Sequence, residues 1–244
     1  MHDLMKAPSN ARLWITQQAI NKSIKWFLGC LFFALVSANN FASSLPTGDA
    51  IPGGIVWLPV GTSDEPLPKV TFNDRPVAVI NEGDTWVAVI GLPLSTKAGH
   101  QEIRVNGAGK GFQVTPKDYP EQHIQLKTRK HIDLSAEDLA RHRKEKARAK
   151  KVFGHFDTSQ SPDFAFLKPV EGPYSSPFGL KRFFNGEPRN PHSGLDIAAP
   201  TGTPIKSPTP GKVVLTGNFF FNGNVVYVDH GQGVISMFCH LDSI

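Results

Sequence analysis

The sequence predicts a mainly β protein. An antiparallel, sandwich-like module is expected over residues 50–126, a basic linker helix within 127–160, and a second β-sheet domain over 164–244. Three observations carry this reading. Short β-branched and aromatic runs recur between turn signals. The 22 glycines and 20 prolines of the 244-residue chain favour turns over long helices. A single stretch, opened by Ser135, has the composition and cap of a helix.

The first 42 residues read as an export signal or an N-terminal membrane anchor. Lys22 and Lys25 precede the apolar run from Trp26 to Val36, which suits a signal core and is short for a membrane span. Val36-Ser37-Ala38 and Asn40-Phe41-Ala42 offer small residues for cleavage. Phe27-Leu28-Gly29-Cys30 has the look of a lipidation site, but the apolar run continues past Cys30, which argues against it. An exported location is expected, with membrane contact only through this segment if it is retained. Cys239 is then the one cysteine of the mature chain, and no disulfide is expected.

In the first module, Gly54 to Val60, Pro76 to Ile80 and Thr85 to Ile90 read as strands. Gln101 to Val105 and Gly111 to Val114 close the set. Asn73-Asp74, Glu82-Gly83-Asp84 and Asn106-Gly107 are the turns between them. His100 and His123 read as surface residues. Ser135 is a plausible N-cap, with Asp138 in the reciprocal capping-box position. From Lys127 to Lys151 the chain holds ten Lys/Arg and four Asp/Glu, a local +6 against +5 for the whole. The basic character belongs to one segment, so nucleic-acid binding is not expected. The helix has almost no apolar stripe and is expected to be solvated or to lie against an acidic surface.

Beyond Phe164, Lys212 to Thr216, Asn224 to Asp229 and Val234 to His240 read as strands. Between the turns of this region stands His192-Ser193-Gly194-Leu195-Asp196. On an extended strand His192 and Asp196 share a face, with Cα atoms about 13 Å apart. Two side chains can meet one metal ion only if that span shortens, and Gly194 is where a bend is cheapest. His230, before Gly231-Gln232-Gly233, reads as a turn residue. Cys239 and His240 are adjacent on a strand and point to opposite faces, so they do not form a thiol–imidazole pair. Lys181 and Arg182 follow the Phe178-Gly179 turn and could face an anionic peptide or simply solvent.

The longer text closely resembles the lysostaphin-like (LytM-type) zinc metallopeptidases. Its blocks are Ser176-Pro177-Phe178-Gly179, Asn190 to Ile205, Gly211 to Val214, Val226 to Gly233 and Phe238-Cys239-His240-Leu241, and together they span about 164–244. The resemblance implies a LytM-type β-sheet peptidase domain with zinc as cofactor. It makes His192 and Asp196 metal ligands and His240 a catalytic histidine near the metal-bound water. It implies hydrolysis of peptidoglycan peptides, in stems or cross-links, in the periplasm or cell envelope. A later His-x-His supplies the third ligand in that family, and the sequence stops at Ile244, so the domain is expected to be incomplete and this chain's own activity to suffer from loss of the third ligand. The alternative is a non-catalytic module of the same fold that binds the wall or regulates another cell-wall hydrolase; peptidoglycan peptides and an envelope regulator are the expected partners.

Overall fold

Asn73-Asp74 and Asn106-Gly107 turn the chain back on itself in the left-handed region, with φ of 50° and 61° at the first and 50° and 90° at the second. Such pairs match the twist of two-residue hairpins, and Asn, Asp and Gly tolerate them best. The computed structural model describes residues 45, 47–127 and 133–244. The expected signal or anchor lies outside these residues. Among the described residues no helix is long and apolar enough to cross a membrane.

Seven strands come first: β1 (Ile55–Thr62), β2 (Val70–Phe72), β3 (Arg75–Pro76), β4 (Ala78–Glu82), β5 (Thr85–Gly91), β6 (Gly99–Val105) and β7 (Ala108–Val114). They form two antiparallel sheets, ordered β1-β5-β4 and β3-β2-β6-β7. Pro59 is accommodated on the edge strand β1, where the pairing with β5 shifts register between Pro59 and Gly61. Val56, Val79, Ala88 and Ile90 from one sheet pack against Val70, Phe72, Ile103 and Val114 from the other, the layered core of a sandwich. The first sheet is covered on its other face too. Ala78, Ile80, Val87 and Val89 bury against Trp57, Phe164 and Val234. Burial on both faces explains why β4 and β5 read as continuous apolar runs rather than alternating ones.

The chain continues through β8 (Glu121–Ile124), the helix α1 (Ala136–Phe153), β9 (Tyr174–Ser176), β10 (Lys181–Phe184), β11 (Glu187–Pro188) and β12 (Asp196–Ile197). It ends in the meander β13 (Lys212–Phe219), β14 (Gly223–Asp229) and β15 (Ile235–Leu241). β8 runs parallel to β10 with Glu121 opposite Lys181, so the segment leaving the sandwich becomes part of the second region's sheet. A second join is made by Gln232. Its Oε1 accepts from the Val79 N–H at 2.8 Å and its Nε2 donates to the Val79 carbonyl at 3.1 Å.

Ser135 caps α1, its Oγ accepting from the Asp138 N–H at 3.0 Å. Glu137 and Asp138 in the first turn and Lys150 and Lys151 in the last suit the helix dipole. The helix lies between the two β regions in the chain and is largely exposed, and two of its arginines reach backbone carbonyls. Arg141 donates to the Asn218 carbonyl at 3.0 Å and Arg148 to that of Thr216 at 2.9 Å. These are backbone acceptors on edge strand β13, a liability that the arginines cover. Glu145 is buried, takes a hydrogen bond from Arg141 and accepts from the Phe220 N–H at 2.9 Å. Ala149 and Val152 pack on Phe219, Val225 and Tyr227.

Candidate metal centre

The segment Ser176–Leu180 holds His192 on three sides. The His192 N–H donates to the Leu180 carbonyl at 2.9 Å, and its own carbonyl accepts from the Gly179 N–H at 2.7 Å. Its Nδ1 lies 3.0 Å from the Pro177 carbonyl and 3.3 Å from Ser176 Oγ. A carbonyl only accepts, so the Pro177 contact needs a proton on Nδ1, and the neutral ring that carries it there is the form whose Nε2 lone pair can bind a metal. That Nε2 faces Asp196 Oδ1 at 3.2 Å. Asp196 is brought there by antiparallel pairing of β12 with β9, which sets it opposite Ser176. The chain bends at Gly194.

The His192 side chain is 11% exposed and that of Asp196 46%, so the pair opens to solvent from one side. Arg182 Nη2 sits 3.4 Å from Ser176 Oγ and 4.0 Å from Asp196 Oδ2, a cation beside the carboxylate. A groove of about 1200 Å³ lies elsewhere, lined by Trp57, Val89, Phe164, Phe166 and Val234 and by neither member of the pair.

His240 is exposed and stands at an irregularity of β15, where Phe238 pairs with Val226 but Leu241 with Asn224. Its φ is 58°, left-handed, and its N–H donates to the Asn222 carbonyl at 2.8 Å. Bulges of this kind re-aim a side chain, and left-handed non-glycine residues store strain. Cys239 packs instead on the Phe219–Tyr227 cluster. Burial pushes its thiol above the usual cysteine range, and the Asp196 carboxylate adds to this while an Asn222 hydrogen bond opposes it. His230 is buried and both ring nitrogens are occupied, Nδ1 by the Pro210 carbonyl and Nε2 by Ser236 Oγ, each at 2.8 Å. Its role is to tie β14 to its surroundings.

Two donors at tetrahedral angles, each about 2 Å from a zinc ion, stand about 3.3 Å apart. The 3.2 Å between Nε2 and Oδ1 fits that requirement, and the Pro177 carbonyl provides the outer contact that fixes a ligating imidazole. Among the described residues no group of three His, Cys, Asp or Glu side chains is assembled, so His240 does not join the pair. Sequence reasoning overlooked the Pro177 carbonyl as the group that orients His192, although the Ser176–Gly179 block was visible.

Comparison with known proteins agrees with the resemblance. Residues 190–244 match Peptidase family M23, and residues 48–117 match the Peptidase family M23 N-terminal domain. A crystal structure of a candidate M23 peptidase from Pseudomonas aeruginosa is 40% identical, with a TM-score of 0.63 over 80% of this chain and 75% of that one. The chain belongs to peptidase family M23. It is similar to the peptidoglycan DD-endopeptidase ShyA of Vibrio cholerae, 41% identical over 54 residues, 22% of this chain and 13% of that protein. It is also similar to the cell division protein DipM of Caulobacter vibrioides, 39% identical over 79 residues, 32% of this chain and 12% of that protein. The chain therefore matches less than a quarter of the length of these relatives.

Proposed function

We propose that this protein is a zinc metalloendopeptidase that hydrolyses peptide bonds of peptidoglycan stems or cross-links in the cell envelope, after export by its N-terminal segment. The observation that carries the reading is the convergence of His192 Nε2 and Asp196 Oδ1, with Nδ1 tied to the Pro177 carbonyl. His192 and Asp196 would hold two positions on the metal. Zinc, when bound, supplies Lewis acidity to a water molecule and to the scissile carbonyl. His240, solvent-facing in a strained conformation at the end of β15, is the group assigned to proton transfer or to stabilising the developing oxyanion. Arg182, beside Asp196, offers a cation to a substrate carboxylate.

A second reading, a non-catalytic module that binds the wall or regulates another cell-wall hydrolase, draws support from the similarity to a cell division protein. Zinc content of the purified protein and its action on isolated peptidoglycan peptides separate the two. Stoichiometric zinc and peptide cleavage, both lost in His192→Ala and Asp196→Ala, are expected. Peptidoglycan binding without zinc or cleavage would overturn the enzymatic reading and leave the second.

A further inference from the structure

His192 takes its orientation from the Pro177–Gly179 turn, and that turn is seated on the N-terminal sandwich rather than only on its own region. Gly179 has φ of 90° and lies flat on the Tyr119 ring, so a Cβ there would run into the ring. Phe178 packs edge-on to Tyr119, with ring centroids 6.2 Å apart. Phe178 also closes on Gly53, where a built Cβ would stand 2.6 Å from Phe178 Cε1 and 2.8 Å from Leu94 Cδ2. Tyr119 is itself anchored, its hydroxyl donating to the Pro52 carbonyl at 2.7 Å. The next residue, Pro120, accepts from the Lys181 N–H at 2.9 Å and leads into the β8–β10 pairing. A continuous series of contacts therefore runs from Pro52 through Tyr119 and Gly179 to Pro177 and the His192 imidazole.

We propose that Tyr119 is a positioning residue for His192: its ring seats the Pro177–Gly179 turn, so that the Pro177 carbonyl holds the imidazole with Nε2 turned toward Asp196. Tyr119 touches neither metal nor substrate and acts only through this turn. The N-terminal sandwich is thereby part of the metal centre's support. The zinc half of this inference rests on the function proposed above, whereas the orientation of the ring does not. Outer contacts of this kind change metal affinity by about 10- to 100-fold when removed.

The test uses the full chain and two readouts. The first is the Nδ1 nitrogen shift of His192 in metal-free protein, which reports the hydrogen bond to the Pro177 carbonyl. The second is the Kd for zinc alone. Wild type is expected to show a hydrogen-bonded Nδ1–H. Tyr119→Ala is expected to lose that signature and to bind zinc about tenfold more weakly. Tyr119→Phe keeps the ring against Gly179 and is expected to retain the signature and most of the affinity. If Tyr119→Ala does not fold, Tyr119→Leu decides, since it keeps apolar bulk without the flat ring and is expected to shift both readouts in the same direction. A folded Ala or Leu variant with the wild-type Nδ1 signature and zinc affinity overturns the inference. Wild-type protein that binds no zinc at His192 overturns the proposed function instead, and the Nδ1 measurement still judges Tyr119.

Discussion

Gln232 pairs with Val79 through both ends of its side-chain amide, donating to the carbonyl and accepting from the N–H. Val79 lies on β4, the edge of the first sandwich sheet, and the glutamine takes the place of a neighbouring strand. Both groups are buried, so loss of the amide leaves a donor and an acceptor without partners. Gln232→Ala is expected to lower unfolding free energy by about 2 to 4 kcal/mol, measured by urea titration. A change under about 0.5 kcal/mol would mean that water satisfies Val79 equally well.

Gly231 prepares that contact. Its φ is 96°, and a Cβ built on it would collide with the Gln160 carbonyl. The obstacle is backbone and cannot swing away. Gly231→Ala is expected to cost about 2 to 3 kcal/mol from left-handed strain plus overpacking. For a chain of this size that corresponds to a drop in Tm of roughly 5 to 10 °C. An unchanged Tm would show that the turn rearranges freely and that Gln232 needs no such seat.

How much of this was legible depends on the range of the determining contacts. The hairpin turns at Asn73-Asp74 and Asn106-Gly107 were readable because left-handed φ values select residue types locally. The Ser135 cap was readable for the same reason, its partner Asp138 being three residues away. The spacing of His192 and Asp196 and the glycine between them hinted at their meeting, but the β12–β9 pairing and the Ser176–Leu180 contacts that set it are not local. Glu145, by contrast, finds Phe220 75 residues away and Gln232 finds Val79 153 residues away, beyond any periodicity. His240 looked like an ordinary strand residue because a bulge depends on register with β14, which the sequence of β15 alone does not specify. Tyr119 carried no signal at all, since its importance comes from a glycine 60 residues on.

Glu145 turns a basic helix into a docked one. Its carboxylate receives Arg141 Nε at 2.8 Å and the Phe220 N–H at 2.9 Å while itself buried. Glu145→Ala removes both bonds and strands the Phe220 N–H, for an expected loss of about 2 to 3 kcal/mol. Glu145→Gln keeps a carbonyl oxygen for one of the two donors and is expected to lose about half as much. Equal losses for the two variants, by chemical denaturation, would show that packing rather than the acceptor holds the helix.

Stability is expected to fall on the alkaline side. Burial raises the Cys239 thiol above its ordinary range, with a hydrogen bond from Asn222 partly offsetting it and Asp196 adding to it. Burial likewise raises the Tyr227 phenol, with Cys239 adding and Arg148 partly offsetting. An acid whose pKa is higher in the folded state resists ionisation there, so the unfolded chain releases its proton first. The stabilisation is fully present below the unfolded values, about 8.5 for cysteine and about 10 for tyrosine, and is lost as pH rises through the folded ones. Urea unfolding at a series of pH values is expected to be level from about pH 7 to 8 and to decline above about 8.5. Cys239→Ala is expected to postpone the decline to the tyrosine range near pH 10, whatever its effect on absolute stability. A profile that rises between pH 8 and 10, or one that Cys239→Ala leaves unaltered in shape, would place the thiol in contact with water rather than against Tyr227.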